Sequence, residues 1–218
     1  VTTYYRKGKV CHCSSKRFPG SSEERDRRRA ARTLNQRQRA NVFALVSRLV
    51  KILTRKLQDL NAWVSLAKTT NMTPANLCHK VNGTACDENG VANFRAFIFS
   101  VGWLAVPLFT RVTRCGWEIT IEWRPHGVPN ETRDKDTLVI GYFYDSLPDA
   151  PRVLHLPNVT RAGRVATFTL PDPVTATGKP LSPDEIVHLY PYVAGSGQDE
   201  FSTSVYLRVA RDADEILG

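Results

Sequence analysis

Two groups of residues in this sequence carry soft metal ligands: Cys11-His12-Cys13, and Cys78-His79 with Cys86. A structural zinc site needs four ligands in a tetrahedron, usually supplied as CxxC or HxxxH pairs. The CxC spacing fits no such pattern, so we expect no bound metal and free thiols. The alternative is a disulfide joining Cys11 or Cys13 to Cys78 or Cys86. Cys115, just ahead of an alternating run that begins at Trp117, reads as a small buried hydrophobe. Five cysteines are an odd number and make no tidy disulfide framework, which favours a reducing compartment.

Groups for nucleophilic or acid–base chemistry are sparse. The histidines are His12, His79, His126, His155 and His188. His188 sits between apolar neighbours on an expected strand, where a structural role is the natural one. No Gly-x-Ser-x-Gly elbow, phosphate loop or dinucleotide fingerprint occurs. Asp212, Asp214 and Glu215 fall in an expected exposed tail. With no catalytic constellation of the usual kinds, we expect no enzyme, no cofactor and no small-molecule substrate.

The chemistry that does stand out is cationic. Arg6, Lys7, Lys9, Lys16 and Arg17 lie on an expected extended arm. Arg25, Arg27, Arg28, Arg29, Arg32, Arg37 and Arg39 lie on helical sequence behind it. Residues 1 to 70 hold 17 Lys/Arg and 4 Asp/Glu, whereas the remainder holds 13 and 17. A guanidinium binds phosphate bidentately. The asymmetry therefore points to a polyanionic partner or an acidic protein surface. No zinc finger, helix-turn-helix or RNP signature appears. If nucleic acid is bound, backbone contact without sequence reading is expected, with strong salt dependence. Tyr4 and Tyr5 are candidates for stacking on bases.

The elements that must carry these residues divide by hydrophobic period. Residues 1 to 32 read as a basic arm, with Tyr4, Tyr5 and Val10 suited to a short strand. Ser21 with Glu24 fits a capping box, and Thr33 with Gln36 offers a second. From Thr33 a helix is expected to about Ala62. Its apolar face is Val42, Val46, Leu49, Val50, Leu53, Leu57 and Leu60, widened by Phe43, Leu45 and Ile52, and its opposite face is basic. Such a face must pack on something, either the C-terminal domain or the same helix in a second copy, and we assign it to self-association. Thr73-Pro74 should open a short helix through Val81, and residues 33–90 form the helical part. From residue 91 the period changes to two. Strands are expected at Val91–Ser100, Trp117–Trp123, Thr137–Tyr144, Val165–Leu170, Ile186–Val193 and Thr203–Val209. The last two bracket a Gly-Ser-Gly-Gln turn, and Pro191 puts its strand near an edge or a bulge. Residues 91–218 thus read as an antiparallel β-sandwich, giving an α+β chain. No run of 18 apolar residues exists, so no membrane span is expected.

Several segments together resemble an uncharacterised family of Bacteroidota, a domain of unknown function. They are Gly8-Lys9-Val10; Thr33, Gln36, Arg39 and Phe43; Asn71 and Asn76; Ser100 to Leu104; Ile119 to Trp123; His188 to Tyr192; and Ser202 to Leu207. Arg124-Pro125 stands where that family usually has Asp-Asn. The resemblance implies a helix-plus-sandwich architecture and a bacterial or phage origin, and no activity. The C-terminal strands are also similar to an immunoglobulin-like or fibronectin-type sandwich, which speaks to fold alone. The expectation is a non-enzymatic structural or assembly protein, such as a virion shell or filament component. Its arginine-rich N-terminus would contact nucleic acid or a neighbouring subunit. The partners are therefore other copies of the chain and nucleic acid, in the cytoplasm or a virion. A nucleic-acid-binding protein without sequence preference is the alternative, and a surface adhesion module is the third.

Overall fold

The computed structural model describes residues 2–6, 9–13, 23, 26–27, 30–31, 33–57, 62–124, 131–171, 173–175, 177–197 and 199–217. The chain divides into two compact units, Val1–Arg39 and Ala40–Gly218. The expected divisions fell after residues 32 and 90. In the structure the helical part beyond residue 39 belongs with the β domain, because the two share a core.

The first unit contains a two-stranded antiparallel ribbon. Strand β1 (Thr2–Arg6) pairs with β2 (Lys9–Cys13), bringing Tyr5 opposite Val10 and Arg6 opposite Lys9. Helix α1 (Leu34–Leu57) begins in this unit. It starts where the sequence places a capping box: Gln36 N donates to Thr33 Oγ1 at 3.3 Å, and Thr33 N donates to Gln36 Oε1 at 3.1 Å. Two orphan donors of the first turn are satisfied reciprocally. The box proposed at Ser21 and Glu24 lies outside the described residues.

The second unit has three layers. One is helical: the rest of α1, then α2 (Ala62–Thr70) and α3 (Pro74–Asn82). Thr73 caps α3, accepting from Asn76 N at 3.2 Å, with Pro74 at the first helical position. The other two layers are four-stranded antiparallel sheets. The inner sheet has the order β6 (Arg152–Thr160), β5 (Thr137–Tyr144), β8 (Val187–Ala194), β9 (Leu207–Val209). The outer sheet has the order β10 (Asp214–Ile216), β3 (Leu108–Cys115), β4 (Glu118–Arg124), β7 (Val165–Thr169). A short helix, α4 (Glu131–Asp134), and a 3-10 turn at Arg161–Gly163 lie at strand ends.

Residue types explain the layering. The outer sheet alternates, with Ile119, Ile121, Trp123, Ala166 and Phe168 buried and the residues between them half-buried or exposed. It is covered on one face only. On β5 and β8 every described side chain but Thr137 is buried. Their two faces enter two different cores. Leu138, Ile140, Tyr142, Tyr144, Val187, Leu189 and Val193 meet the outer sheet. Val139, Phe143, Tyr190, Tyr192 and Ala194 meet the helices. Gly141 sits where the helical-side core crosses the sheet: a Cβ there would lie 2.3 Å from Phe99 Cδ1.

Three expectations need correction. Residues 91–100 form turns, not a strand, although Phe97 and Phe99 are buried as their spacing suggested. Their backbone is satisfied by side chains. Asn82 Oδ1 accepts from Ile98 N and Asn82 Nδ2 donates to Ile98 O, both at 2.8 Å. Ser204 Oγ accepts from Phe99 N and Ser100 N. The last hairpin forms, but residues 203–206 leave the ladder and only Leu207–Val209 pairs regularly. Pro191 fits this irregularity. Its carbonyl accepts from Val205 N, so its missing N–H faces the same loosened edge. Finally, Cys115 is exposed, not buried: it is the last residue of β3, paired with Glu118 at the hairpin end of the sheet.

Candidate nucleic-acid interface

The first unit holds twelve Lys/Arg against three Asp/Glu, while the second holds eighteen of each. The whole positive excess of the chain thus belongs to Val1–Arg39. Arg27, Arg37 and Arg39 are exposed. Arg37 Nη2 donates to the carbonyl of Ala30, and Ala31 N donates to Arg27 O, closing a helical turn. No carboxylate among the described residues forms an ion pair with Arg27, Arg37 or Arg39. Arg6 and Lys9 face each other across the β1–β2 ribbon in backbone register. Lys7, Lys16, Arg17, Arg25, Arg28, Arg29 and Arg32 lie outside the described residues.

The second unit's stretch of α1 is also basic on its solvent face. Arg48, Lys51 and Arg55 are exposed, and no Asp or Glu occurs from Leu34 to Leu57. Arg48 is bound to Asp149 at 3.1 Å. The apolar side of α1 is not free for a second copy. Val46, Leu49 and Leu53 are at most 1% exposed, inside the chain's own core, and Val42 packs against it. The assignment of this face to self-association is therefore corrected: α2, α3 and the inner sheet already cover it. The side chain of Leu57 lies outside the described residues.

The cysteines form neither a metal site nor a disulfide among the described residues. Cys78, Cys86 and Cys115 are free thiols, and no group of three or more ligating side chains is present among the described residues. Burial pushes the Cys78 and Cys86 thiols up to about 12, which makes them inert. His79 packs edge-on against Phe43.

His188 is the centre of one buried polar constellation. Nε2 lies 2.9 Å from Asp145 Oδ1 and Nδ1 lies 3.0 Å from Tyr206 Oη. Phe94 stacks on the ring at 3.7 Å. Both ring nitrogens are engaged and one face is covered, so the ring acts as a clamp joining β8, the β5–β6 turn and residues 94 and 206. A second polar knot escaped the sequence. Buried Asp136 meets buried Arg161 at 3.2 Å, and Arg161 Nη2 donates to Ala105 O at 2.7 Å. Desolvation raises the Asp136 carboxyl, with Arg161 opposing it. A third is Arg114, whose buried guanidinium donates to the carbonyls of Gly116, Glu185, Val209 and Pro183. Single charged residues inside strand or turn sequence carry no signal that they will be buried.

The class these features define is an α+β protein whose body is two facing sheets backed by helices, preceded by a strongly basic unit. No family model matches the chain, and no curated protein does. No helix among the described residues is long and apolar enough to cross a membrane.

Proposed function

We propose that this is a non-enzymatic structural or assembly protein whose first unit grips nucleic acid through its phosphate backbone. The observation that carries this reading is the confinement of the entire charge excess to Val1–Arg39, with Arg27, Arg37 and Arg39 exposed and without carboxylate partners among the described residues. Exposed guanidinium groups without carboxylate partners are free to replace condensed counterions on a polyanion. The sandwich body is the folded part that such an arm would tether. The order β10-β3-β4-β7 facing β6-β5-β8-β9 supports a fibronectin-like kinship for that body.

The test is fluorescence anisotropy of labelled single- and double-stranded DNA or RNA with the full chain across a salt series. Log affinity should fall linearly with log salt, with little dependence on base sequence. Replacing Arg37 and Arg39 by Gln should weaken binding to all sequences alike and reduce the duplex slope by about 2. Affinity absent at low salt, or insensitive to salt, would remove the nucleic-acid reading.

A further inference from the structure

A sheet edge is a row of unpaired backbone groups, and proteins usually blunt it with charge, proline or shortness. Three of the four edges of the two four-stranded sheets are blunted. β10 has three residues, two of them Asp214 and Glu215, and β9 has three, with Arg208 at its centre. β6 carries Pro157. The fourth, β7, reads Val-Ala-Thr-Phe-Thr, with neither charge nor proline.

Its unpaired groups are easily assigned. Leu170 N donates to Trp117 O, and Trp123 N donates to Arg164 O. The even-numbered residues therefore bond toward β4, since N–H and C=O of one residue point the same way. Val165, Thr167 and Thr169 present their N–H and C=O to the other side, where no strand among the described residues pairs with β7. Their side chains are exposed on the outer face of the sheet.

We propose that β7 is a docking edge for β7 of a second copy, joining two outer sheets into one continuous antiparallel sheet. The strand is self-complementary. A two-fold axis through Thr167 sets Thr167 against itself and Val165 against Thr169 of the second copy. No like charges meet, and each opposed pair exchanges both of its hydrogen bonds. β-branched residues dominate the contact, as cross-strand packing favours. The inference rests on the assembly half of the proposed function and supplies the contact that the buried face of α1 does not.

Sedimentation velocity of the full chain, without nucleic acid and over a wide concentration range, tests it. Wild type should form a dimer. Thr167→Pro deletes the central outward N–H and leaves the backbone bonds to β4 in place, at the loss of the side-chain hydrogen bond between Thr167 Oγ1 and Thr120 Oγ1, and should leave a monomer. The double variant Val165→Lys with Thr169→Lys keeps its charges balanced inside the subunit, because those positions lie opposite Glu122 and Glu118. Across the two-fold, however, the new lysines would face each other. This variant should unfold near the wild-type temperature yet stay monomeric. A wild-type dimer that survives both changes would overturn the edge while leaving the assembly reading intact. A wild type that is monomeric throughout, with nucleic acid present as well as absent, would overturn both.

Discussion

At the scale of single residues, His188 shows how burial turns a titratable group into a condition on pH. Desolvation lowers its pKa below the ordinary 6.5, while Asp145 pulls the other way, Arg208 adds to the lowering and Glu185 opposes it. Above pH 6.5 the imidazole is neutral in both folded and unfolded chains, so it contributes no slope. Below that value the unfolded chain takes up a proton that the folded chain resists, and stability falls as pH drops. Denaturant midpoints at pH 7 and pH 5.5 should therefore differ more for wild type than for His188→Gln. Equal pH dependence in the two proteins would mean that the ring is not the titrating group. The sequence placed His188 correctly on an apolar strand and assigned it a structural role. It could not show Asp145 or Tyr206 as its partners, because they lie 43 and 18 residues away. The same holds for Asp136 with Arg161 and for the four carbonyls around Arg114. Contacts of this kind depend on which turns the tertiary fold brings together.

At the scale of elements, legibility followed periodicity. The capping box that opens α1, the Thr73 cap and Pro74 that open α3, and the strands β4, β5, β7 and β8 stand where residue types and turn signals put them. β3 and β6 were not anticipated. β3 follows directly on an apolar cluster that masks its alternation, and β6 contains Pro157 and alternates only weakly. The error at residues 91–100 has a physical cause as well. Asn82-Gly83 reads as a turn, but Asn82 ends α3 and spends its amide on the backbone of Ile98, doing the work of a neighbouring strand. The apolar face of α1 was legible as a face, but its partner was not, because the same stripe suits a second copy or the chain's own sheet. Its burial inside one chain makes a sharp expectation. Leu49→Ala should cost about 3 kcal/mol of stability, lowering the unfolding temperature by roughly 6–12 °C, with no change in oligomeric state. A shift in oligomeric state at unchanged stability would return this face to an intermolecular role.

At the scale of the whole molecule, charge and burial divide the labour. The unit from Ala40 to Gly218 is electrically balanced, with eighteen residues of each sign. Several of its surface cations are held by carboxylates within the unit: Arg111 by Asp214, Arg133 by Glu200, Arg211 by Asp184. A polyanion gains little from cations that are already paired, since each contact must displace an internal partner as well as solvent. The unit from Val1 to Arg39 presents the opposite case, an excess of nine positive charges. Counterion release therefore favours the first unit and leaves the second nearly indifferent. Protease footprinting can read that contrast directly, because trypsin cuts after the very residues at issue. With saturating nucleic acid at low salt, cleavage after Arg27, Arg37 and Arg39 should slow several-fold relative to the free chain, and cleavage after Arg208 and Arg211 should not. Raising the salt should restore the free-chain pattern, because the protection is electrostatic. Protection spread evenly over both units, or concentrated on the paired arginines of the body, would place the polyanion elsewhere on the molecule.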